Sequence, residues 1–223
     1  MSHSLVEVSD AGDDGVGVLV LNRPDKKNAL SIALRDAMSD ALESLAKDER
    51  LRALVVTGAG DTFCAGFDLD EFAEPAIADE LWASSDRWHR TVLEFPLPTV
   101  AAVNGGAYGG GFDLSVMCTL RVAADTARFA HPEHAFSQVV YAPLHDLVGG
   151  SIARDLVLTG RRIDAPEAQR LGLVNRVVPA SEVVDAARAV AAEIGVAPRD
   201  VLLQMTAKIH RRAGITPDAT LDL

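Results

Sequence analysis

Residues 104–113 read Asn104-Gly-Gly-Ala-Tyr-Gly-Gly-Gly-Phe-Asp113, and this stretch says more about the fold than any other part of the chain. It follows the apolar run 99–103, which predicts a buried strand, and it leads into a segment compatible with a helix. A strand that passes through glycines into a helix leaves backbone N–H groups unpaired at the positive end of the helix dipole. Such donors suit an anion or a developing oxyanion. Because Asp113 lies in the first turn, we expect a site that polarises a carbonyl group beside an acid.

The same alternation of strand and helix continues on both sides of this stretch. Apolar runs at residues 16–21, 53–57 and 120–124 predict further buried strands. Apolar residues at helical spacing predict an amphipathic helix over residues 31–47, with Ser31 as its N-cap. Helical pieces are expected between residues 68 and 95. Short strands separated by helices indicate an α/β fold with largely parallel pairing.

The last third of the chain has a helical pattern instead. Its predicted helices, each followed by a glycine, cover residues 156–159, 165–171, 182–194 and 201–212. We therefore divide the chain into a core of residues 1–152 and a helical C-terminal region of residues 153–223.

Composition excludes several classes of function. The chain has 223 residues and a net charge of −11, which argues against nucleic-acid binding because that needs a basic surface. No apolar stretch reaches the roughly 18 residues of a membrane span, and the first residues lack the apolar run of a signal peptide. Two cysteines indicate reduced thiols rather than a disulfide framework. We expect a cytoplasmic protein without nucleic-acid or membrane partners.

Each candidate site residue also has an ordinary structural explanation. Asp113 would stabilise a helix dipole, Glu133 would be a solvated loop carboxylate, and the glycines of residues 58–68 would form a tight turn. The twenty positions between Asp113 and Glu133 leave open whether the two side chains meet. His131 and His134 flank Glu133, but a metal site needs a third ligand, so we predict no metal. The chain has no Gly-x-Ser-x-Gly motif, which argues against a serine hydrolase.

Between about Val16 and Val178 the chain resembles the enoyl-CoA hydratase/isomerase family, the crotonase superfamily. The motifs that carry the resemblance are Asn22-Arg-Pro with Asn28-Ala-Leu30, Phe63-Cys-Ala-Gly-Phe-Asp68, Ala102-Val-Asn-Gly with Gly109-Gly-Gly111, and Phe129-Ala-His-Pro-Glu133. The resemblance implies a spiral of ββα units followed by a helical oligomerisation region, which is shorter here than is usual for the family. It also implies a homotrimer or a dimer of trimers.

For the site, the resemblance implies an acyl-CoA thioester substrate and no separate cofactor, since coenzyme A is part of the substrate. The backbone amides of Phe67 and Gly110 would form an oxyanion hole, and Asp113 and Glu133 would be the catalytic carboxylates. The implied substrate-binding residues are Lys26, Lys27, Ala29, Leu30, Ala65, Asp68, Leu69, Tyr108, Pro132 and Tyr141. The cationic pair Lys26 and Lys27 would then explain how an acidic protein binds an anionic ligand.

The chain departs from the family pattern in the segment after Glu133. Asp113 stands where hydratases usually have Glu; Asp occurs there in dienoyl-CoA isomerases, but their further Asp is replaced here by Tyr141. The usual Gly-x-x-Pro-x-x-Gly-Gly segment is missing, and we expect Tyr141, His145 or Asp146 to take over part of its role. We expect hydration of a 2-enoyl-CoA to a 3-hydroxyacyl-CoA. An enoyl- or dienoyl-CoA isomerase and a non-catalytic acyl-CoA-binding protein are the alternatives.

Overall fold

The computed structural model describes residues 4–215, which form ten β-strands and eight α-helices. In chain order the strands are β1 (Val6–Ser9), β2 (Val16–Leu21), β3 (Ala53–Gly58), β4 (Thr62–Cys64), β5 (Thr99–Val103), β6 (Gly106–Tyr108), β7 (Leu120–Ala124), β8 (Arg128–Ala130), β9 (Ile163–Asp164) and β10 (Arg176–Val178). The helices are α1 (Ile32–Leu45), α2 (Leu69–Phe72), α3 (Ala78–Leu93), α4 (Gly110–Met117), α5 (Ala142–Thr159), α6 (Ala165–Arg170), α7 (Val183–Gly195) and α8 (Arg199–Ala213).

The larger sheet has the strand order β1-β2-β3-β5-β7-β10. Only β1 runs antiparallel to its neighbour, and the pairs from β2 to β10 are parallel. Strands β3 and β5 are buried along their whole length, as expected for parallel strands with both faces covered. The predicted strands 16–21, 99–103 and 120–124 are confirmed at both ends. Helix α1 is also confirmed, and Ser31 caps it by accepting the Leu34 N–H at 3.2 Å.

The smaller sheet has the order β4-β6-β8-β9 and lies beside the first in a repeated pattern. In each of the pairs β3/β4, β5/β6 and β7/β8, the first strand belongs to the larger sheet and the second to the smaller one. Helix α3 follows the first pair and α4 the second. The expected α/β fold of successive ββα units is therefore confirmed.

Residues 104–113 do not form a single glycine loop between strand and helix. Gly106–Tyr108 is strand β6, paired with β4 and β8, and α4 begins at Gly110. A strand of three residues that includes a glycine has too little side-chain alternation to be recognised from a sequence. The N-terminus of α4 is consequently fixed by a sheet and not by a loop.

The C-terminal region is not purely helical, which corrects the sequence-based expectation. Strand β9 pairs with β8 in the smaller sheet, and β10 pairs with β7 in the larger one. Helix α5 runs through the proposed division at residue 152, with a break in its helical conformation at Gly149 (φ 75°). The division into two regions stays a prediction. Among residues 4–215, no helix has both the length and the apolar character needed to cross a membrane.

Candidate active site

One cavity of about 200 Å³ lies where the second strands of the repeated pairs meet the helices that follow them. Seven residues predicted for the site line it, namely Ala65, Phe67, Leu69, Gly110, Asp113, Pro132 and Glu133. The other lining residues are Gly66, Phe72, Trp82, Gly109, Phe136, Ser137, Gln138, Val139 and Val140. The fold thus brings three separate sequence motifs to one space.

The backbone amides of Phe67 and Gly110 lie close together at this cavity. A Cβ atom built on Gly110 would lie 3.9 Å from the Phe67 nitrogen. Across residues 4–215, neither amide donates a hydrogen bond to a protein acceptor. The segment before Phe67 is fixed, because the Leu30 N–H donates to the Gly66 carbonyl at 2.8 Å and the Asp68 N–H to the Leu30 carbonyl at 3.3 Å. Two unpaired donors are therefore held ready for an acceptor in the cavity.

Gly109 and Gly111, on either side of Gly110, must be glycine because other groups lie where a side chain would stand. Gly109 has a φ of +51°, and a Cβ there would lie 3.0 Å from Glu133 Oε2. A Cβ on Gly111 would lie 2.2 Å from the Cys64 carbonyl oxygen, a distance no side chain can adopt. These two positions explain why the stretch 104–113 contains more glycine than a turn needs.

Asp113 and Glu133 meet, which the sequence left open. Asp113 lies in the first turn of α4, and Glu133 lies in the short 3₁₀ helix Pro132–Ala135 that follows β8. A ligand atom of each, together with one of His131, falls within 4.8 Å of the others. The pKa of Glu133 is raised to about 7, mainly by burial and next by the negative charge of Asp113, and these effects outweigh the lowering by His131. A carboxyl with such a pKa can give or take a proton near neutral pH.

His131 is the one polar partner of Asp113 among the side chains of residues 4–215. Its Nε2 lies 2.7 Å from Asp113 Oδ1, and its ring stacks on Phe112 with 4.6 Å between ring centres. The sequence pointed to His131 only as a neighbour of Glu133, and its position one residue before the Pro-Glu pair was the available signal. Asp113, His131 and Glu133 have the ligand types and spacing of a possible metal site. Since the hydrogen bond between His131 and Asp113 already pairs two of the three ligand atoms, the absence of a metal stays our prediction.

The other predicted substrate-binding residues do not line the cavity. Lys26 and Lys27 are exposed, and the Lys26 ammonium lies 3.5 Å from the carboxylate of Asp70. Asp68 is buried with both oxygens engaged, one by Arg23 at 2.6 Å and one by the Asp70 N–H at 3.1 Å. Leu30 is fully buried, whereas Ala29 and Tyr108 are half-buried. The roles of these residues stay predictions about parts of a ligand that lie outside the cavity.

The segment after Glu133 contributes to the cavity differently from our expectation. Ser137, Gln138, Val139 and Val140 line it, whereas Tyr141, His145 and Asp146 do not. Tyr141 directly precedes α5, and its ring lies 5.4 Å from that of His145. The side chains of His145 and Asp146 are exposed. The expected replacement of the missing family segment by one of these three residues stays a prediction, outside the lining of this cavity.

Three aromatic side chains that the sequence did not single out for the site form one wall of the cavity. Trp82 contacts Phe72 edge to face at 6.1 Å between ring centres, and Phe72 contacts Phe136 in the same way at 6.1 Å. Trp82 also meets the ring of Phe67 at 6.5 Å. This wall favours an apolar group in the cavity.

Comparison with known proteins identifies the family of the chain. The family model described as "Enoyl-CoA hydratase/isomerase" matches residues 11–221. A probable enoyl-CoA hydratase of Mycobacterium tuberculosis is 38% identical over 205 residues, covering 90% of this chain and 77% of the relative. The mitochondrial enoyl-CoA hydratase of Pongo abelii is 36% identical over 176 residues, covering 77% of this chain and 61% of the relative.

Solved structures agree as well. An enoyl-CoA hydratase/isomerase from Pseudoalteromonas atlantica superimposes with a TM-score of 0.88 at 33% identity, covering 98% of this chain and 87% of the other. A monofunctional enoyl-CoA isomerase from M. smegmatis gives a TM-score of 0.82 at 27% identity and covers 96% of each chain. With the family model matching most of its length, the chain belongs to the enoyl-CoA hydratase/isomerase family.

Proposed function

We propose that this protein adds water across the double bond of a 2-enoyl-CoA and so forms a 3-hydroxyacyl-CoA. The observation that carries the proposal is the meeting of two carboxyl groups, Asp113 and Glu133, with two unpaired backbone amides in one cavity. Hydration needs a proton acceptor for water, a proton donor for carbon and stabilisation of the negative charge that develops on the thioester. These residues offer all three.

In the proposed reaction, the amides of Phe67 and Gly110 donate hydrogen bonds to the thioester oxygen of the substrate. The oxygen of water bonds to C3, and the electrons of the C2–C3 double bond move through C2 onto the thioester oxygen. Asp113 accepts the proton of the water, and protonated Glu133 gives its own proton to C2 as the thioester carbonyl re-forms. One such backbone donor contributes about 2.7–4 kcal/mol to transition-state stabilisation in other enzymes.

The lining of the cavity indicates which acyl groups fit. The aromatic wall of Phe72, Trp82 and Phe136, continued by Val139 and Val140, supports an uncharged, apolar acyl group. The nucleotide of coenzyme A would lie beside Lys26, Lys27, Ala29 and Leu30, outside this wall. We extend the proposal to a cytoplasmic homotrimer or dimer of trimers that needs no separate cofactor, on the strength of the family alone.

The proposal is tested with purified protein and a series of 2-enoyl-CoA thioesters. Hydration removes the conjugated double bond, so we expect loss of its ultraviolet absorbance and a 3-hydroxyacyl-CoA product. Glu133→Gln, which keeps the size of the side chain, should abolish most of this turnover. Binding of the thioesters without any conversion would contradict the proposal and favour the non-catalytic alternative.

Double-bond isomerisation is the second candidate, and one observation favours it. Oδ1 of Asp113 is already engaged by His131, and the pKa of Glu133 is raised to about 7. Isomerisation needs a single carboxylate that carries a proton between two carbons of the substrate. Conversion of a 3-enoyl-CoA to a 2-enoyl-CoA without hydration would establish this reading, and Asp113→Asn would then retain most of the activity.

A further inference from the structure

We infer that His131 is a positioning residue that makes the two carboxyl groups unequal. Its Nε2–H donates to Asp113 and stabilises the ionised form of that carboxyl, so that the proton of the pair resides on Glu133. The inference deepens the proposed function and rests on it for its catalytic meaning. The position of the proton can be measured in the free protein without any turnover.

The geometry makes the two carboxyl groups unequal. His131 Nε2 lies 2.7 Å from Asp113 Oδ1, a length typical of a charge-assisted hydrogen bond. The Glu133 carboxyl group accepts a hydrogen bond only from its own backbone N–H and from no other described residue, and it lies 3.0 Å from where a Cβ on Gly109 would stand. Of two neighbouring carboxylates, the one that accepts the hydrogen bond keeps its charge more easily. The proton therefore resides on Glu133.

Of the two ring nitrogens of His131, Nε2 is the one that forms a hydrogen bond. The side chain is completely buried, and Nδ1 has no hydrogen-bond partner within residues 4–215. Burial lowers the pKa of His131, but the attraction of Asp113 outweighs burial, and the net pKa lies above the usual value. Nε2 can donate to Asp113 in both the neutral and the charged state of the ring, so the hydrogen bond persists across the working pH range.

The remaining titratable groups around Asp113 leave this asymmetry intact. His89 of α3 and Cys64 of β4 are the other groups whose charge is coupled to that of Asp113. Burial lowers the pKa of His89 and raises that of the Cys64 thiol to about 12. Burial thus disfavours the charged form of both groups, and among the described residues His131 is the side chain that donates a hydrogen bond to the Asp113 carboxylate.

The arrangement also leaves Asp113 able to act on water. Oδ1 is occupied by His131, whereas Oδ2 forms no hydrogen bond to a protein group in the described part of the chain. Asp113 lines the cavity, so with Glu133 protonated the base and the acid of the proposed hydration are assigned before substrate arrives. Without the imidazole, either carboxyl group could carry the proton, and only one of the two arrangements would be productive.

The experiment compares wild type, His131→Leu and His131→Gln. Leu fills the space beside Phe112 but cannot donate, whereas Gln places an N–H at a similar distance from its Cβ and cannot become an imidazolium. The first measurement is a pH titration of ¹³C-labelled carboxyl groups in the free protein. In the wild type we expect the proton of the pair to be found on Glu133 near neutral pH, and a proton on Asp113 there would overturn the inference.

The second measurement is the pH profile of kcat/KM for a 2-enoyl-CoA. Loss of the donor in His131→Leu should move the acidic limb upward by about one pH unit, and His131→Gln should restore the wild-type limb. If the imidazole merely packed on Phe112, both variants would keep the wild-type limb, which would overturn the inference. Equal shifts in both variants, or activity that depends on a metal removable by a chelator, would do the same. Inactive wild type with the expected carboxyl titration would defeat the proposed hydration and leave the inference about the proton standing.

Discussion

At the scale of single residues, the buried carboxyl group of Glu133 is proposed to be catalytic and also lowers the free energy of unfolding when it is ionised. Its pKa is raised to about 7 in the folded protein by burial and by Asp113, from an ordinary value of 4.5. The folded state therefore binds a proton more tightly than the unfolded state. For a carboxyl with a raised pKa, stability falls as pH increases from about 4.5 to about 7 and stays low above it.

We predict that Glu133→Gln removes this penalty. Since Gln carries no charge, the free energy of unfolding should rise by about 2 kcal/mol at pH 8 and by little at pH 4. Denaturant unfolding of both proteins at the two pH values measures the difference. Asp61→Asn, at an exposed position away from the cavity, is the control and should change stability equally little at both. A variant that loses activity without gaining stability at pH 8 would contradict a buried, proton-bearing Glu133.

At the scale of an element, the position of each glycine at the N-terminus of α4 determines whether its N–H is paired. Gly109 follows β6, and its N–H donates a hydrogen bond to the Ala130 carbonyl at 3.0 Å. Gly110 is the first residue of α4, and its N–H has no acceptor among the described residues. The first position of a helix tolerates proline, because the N–H lost there has no partner within the helix. This makes it possible to remove one donor without removing the helix.

We predict that Gly110→Pro lowers kcat by about 10²–10³, the usual effect of losing one donor to an oxyanion. Gly110→Ala is the matched control, because it adds the same Cβ contact, 3.1 Å from Leu30 Cδ1, and retains the N–H. Steady-state kinetics compare the two, and circular dichroism checks that both fold. Similar rates for the two variants would mean that the Gly110 amide does not stabilise the substrate oxygen.

At the scale of the whole molecule, the cavity exists only because distant segments meet. Trp82 comes from α3, Phe72 from α2 and Phe136 from the segment after the 3₁₀ helix, and no two of these are neighbours in sequence. Their edge-to-face contacts form the aromatic wall of the cavity. If the proposed function holds, this wall limits how far an acyl chain extends.

We predict that Trp82→Ala shifts specificity towards longer acyl chains. Removal of the indole opens space at the wall, so kcat/KM for a long-chain 2-enoyl-CoA should rise about tenfold relative to a four-carbon substrate. The measurement is kcat/KM across chain lengths in wild type and variant. Trp88→Phe, in the core away from the lining, is the comparison, and an unchanged ratio in Trp82→Ala would contradict the assignment of this wall.

The sequence by itself determined the strands 16–21, 99–103 and 120–124 and the helix that Ser31 caps, because long apolar runs and a capping residue act through local periodicity. It also marked Phe67, Gly110, Asp113 and Glu133 through the family motifs. Only the tertiary structure decided that β4, β6 and β8 form a second sheet, since strands of three residues carry almost no pattern of their own. It likewise decided that Asp113 meets Glu133 and that His131 turns to Asp113 rather than to solvent. Those contacts join residues 18 and 20 positions apart, across a helix and two strands, and their distance is fixed by how the two sheets pack.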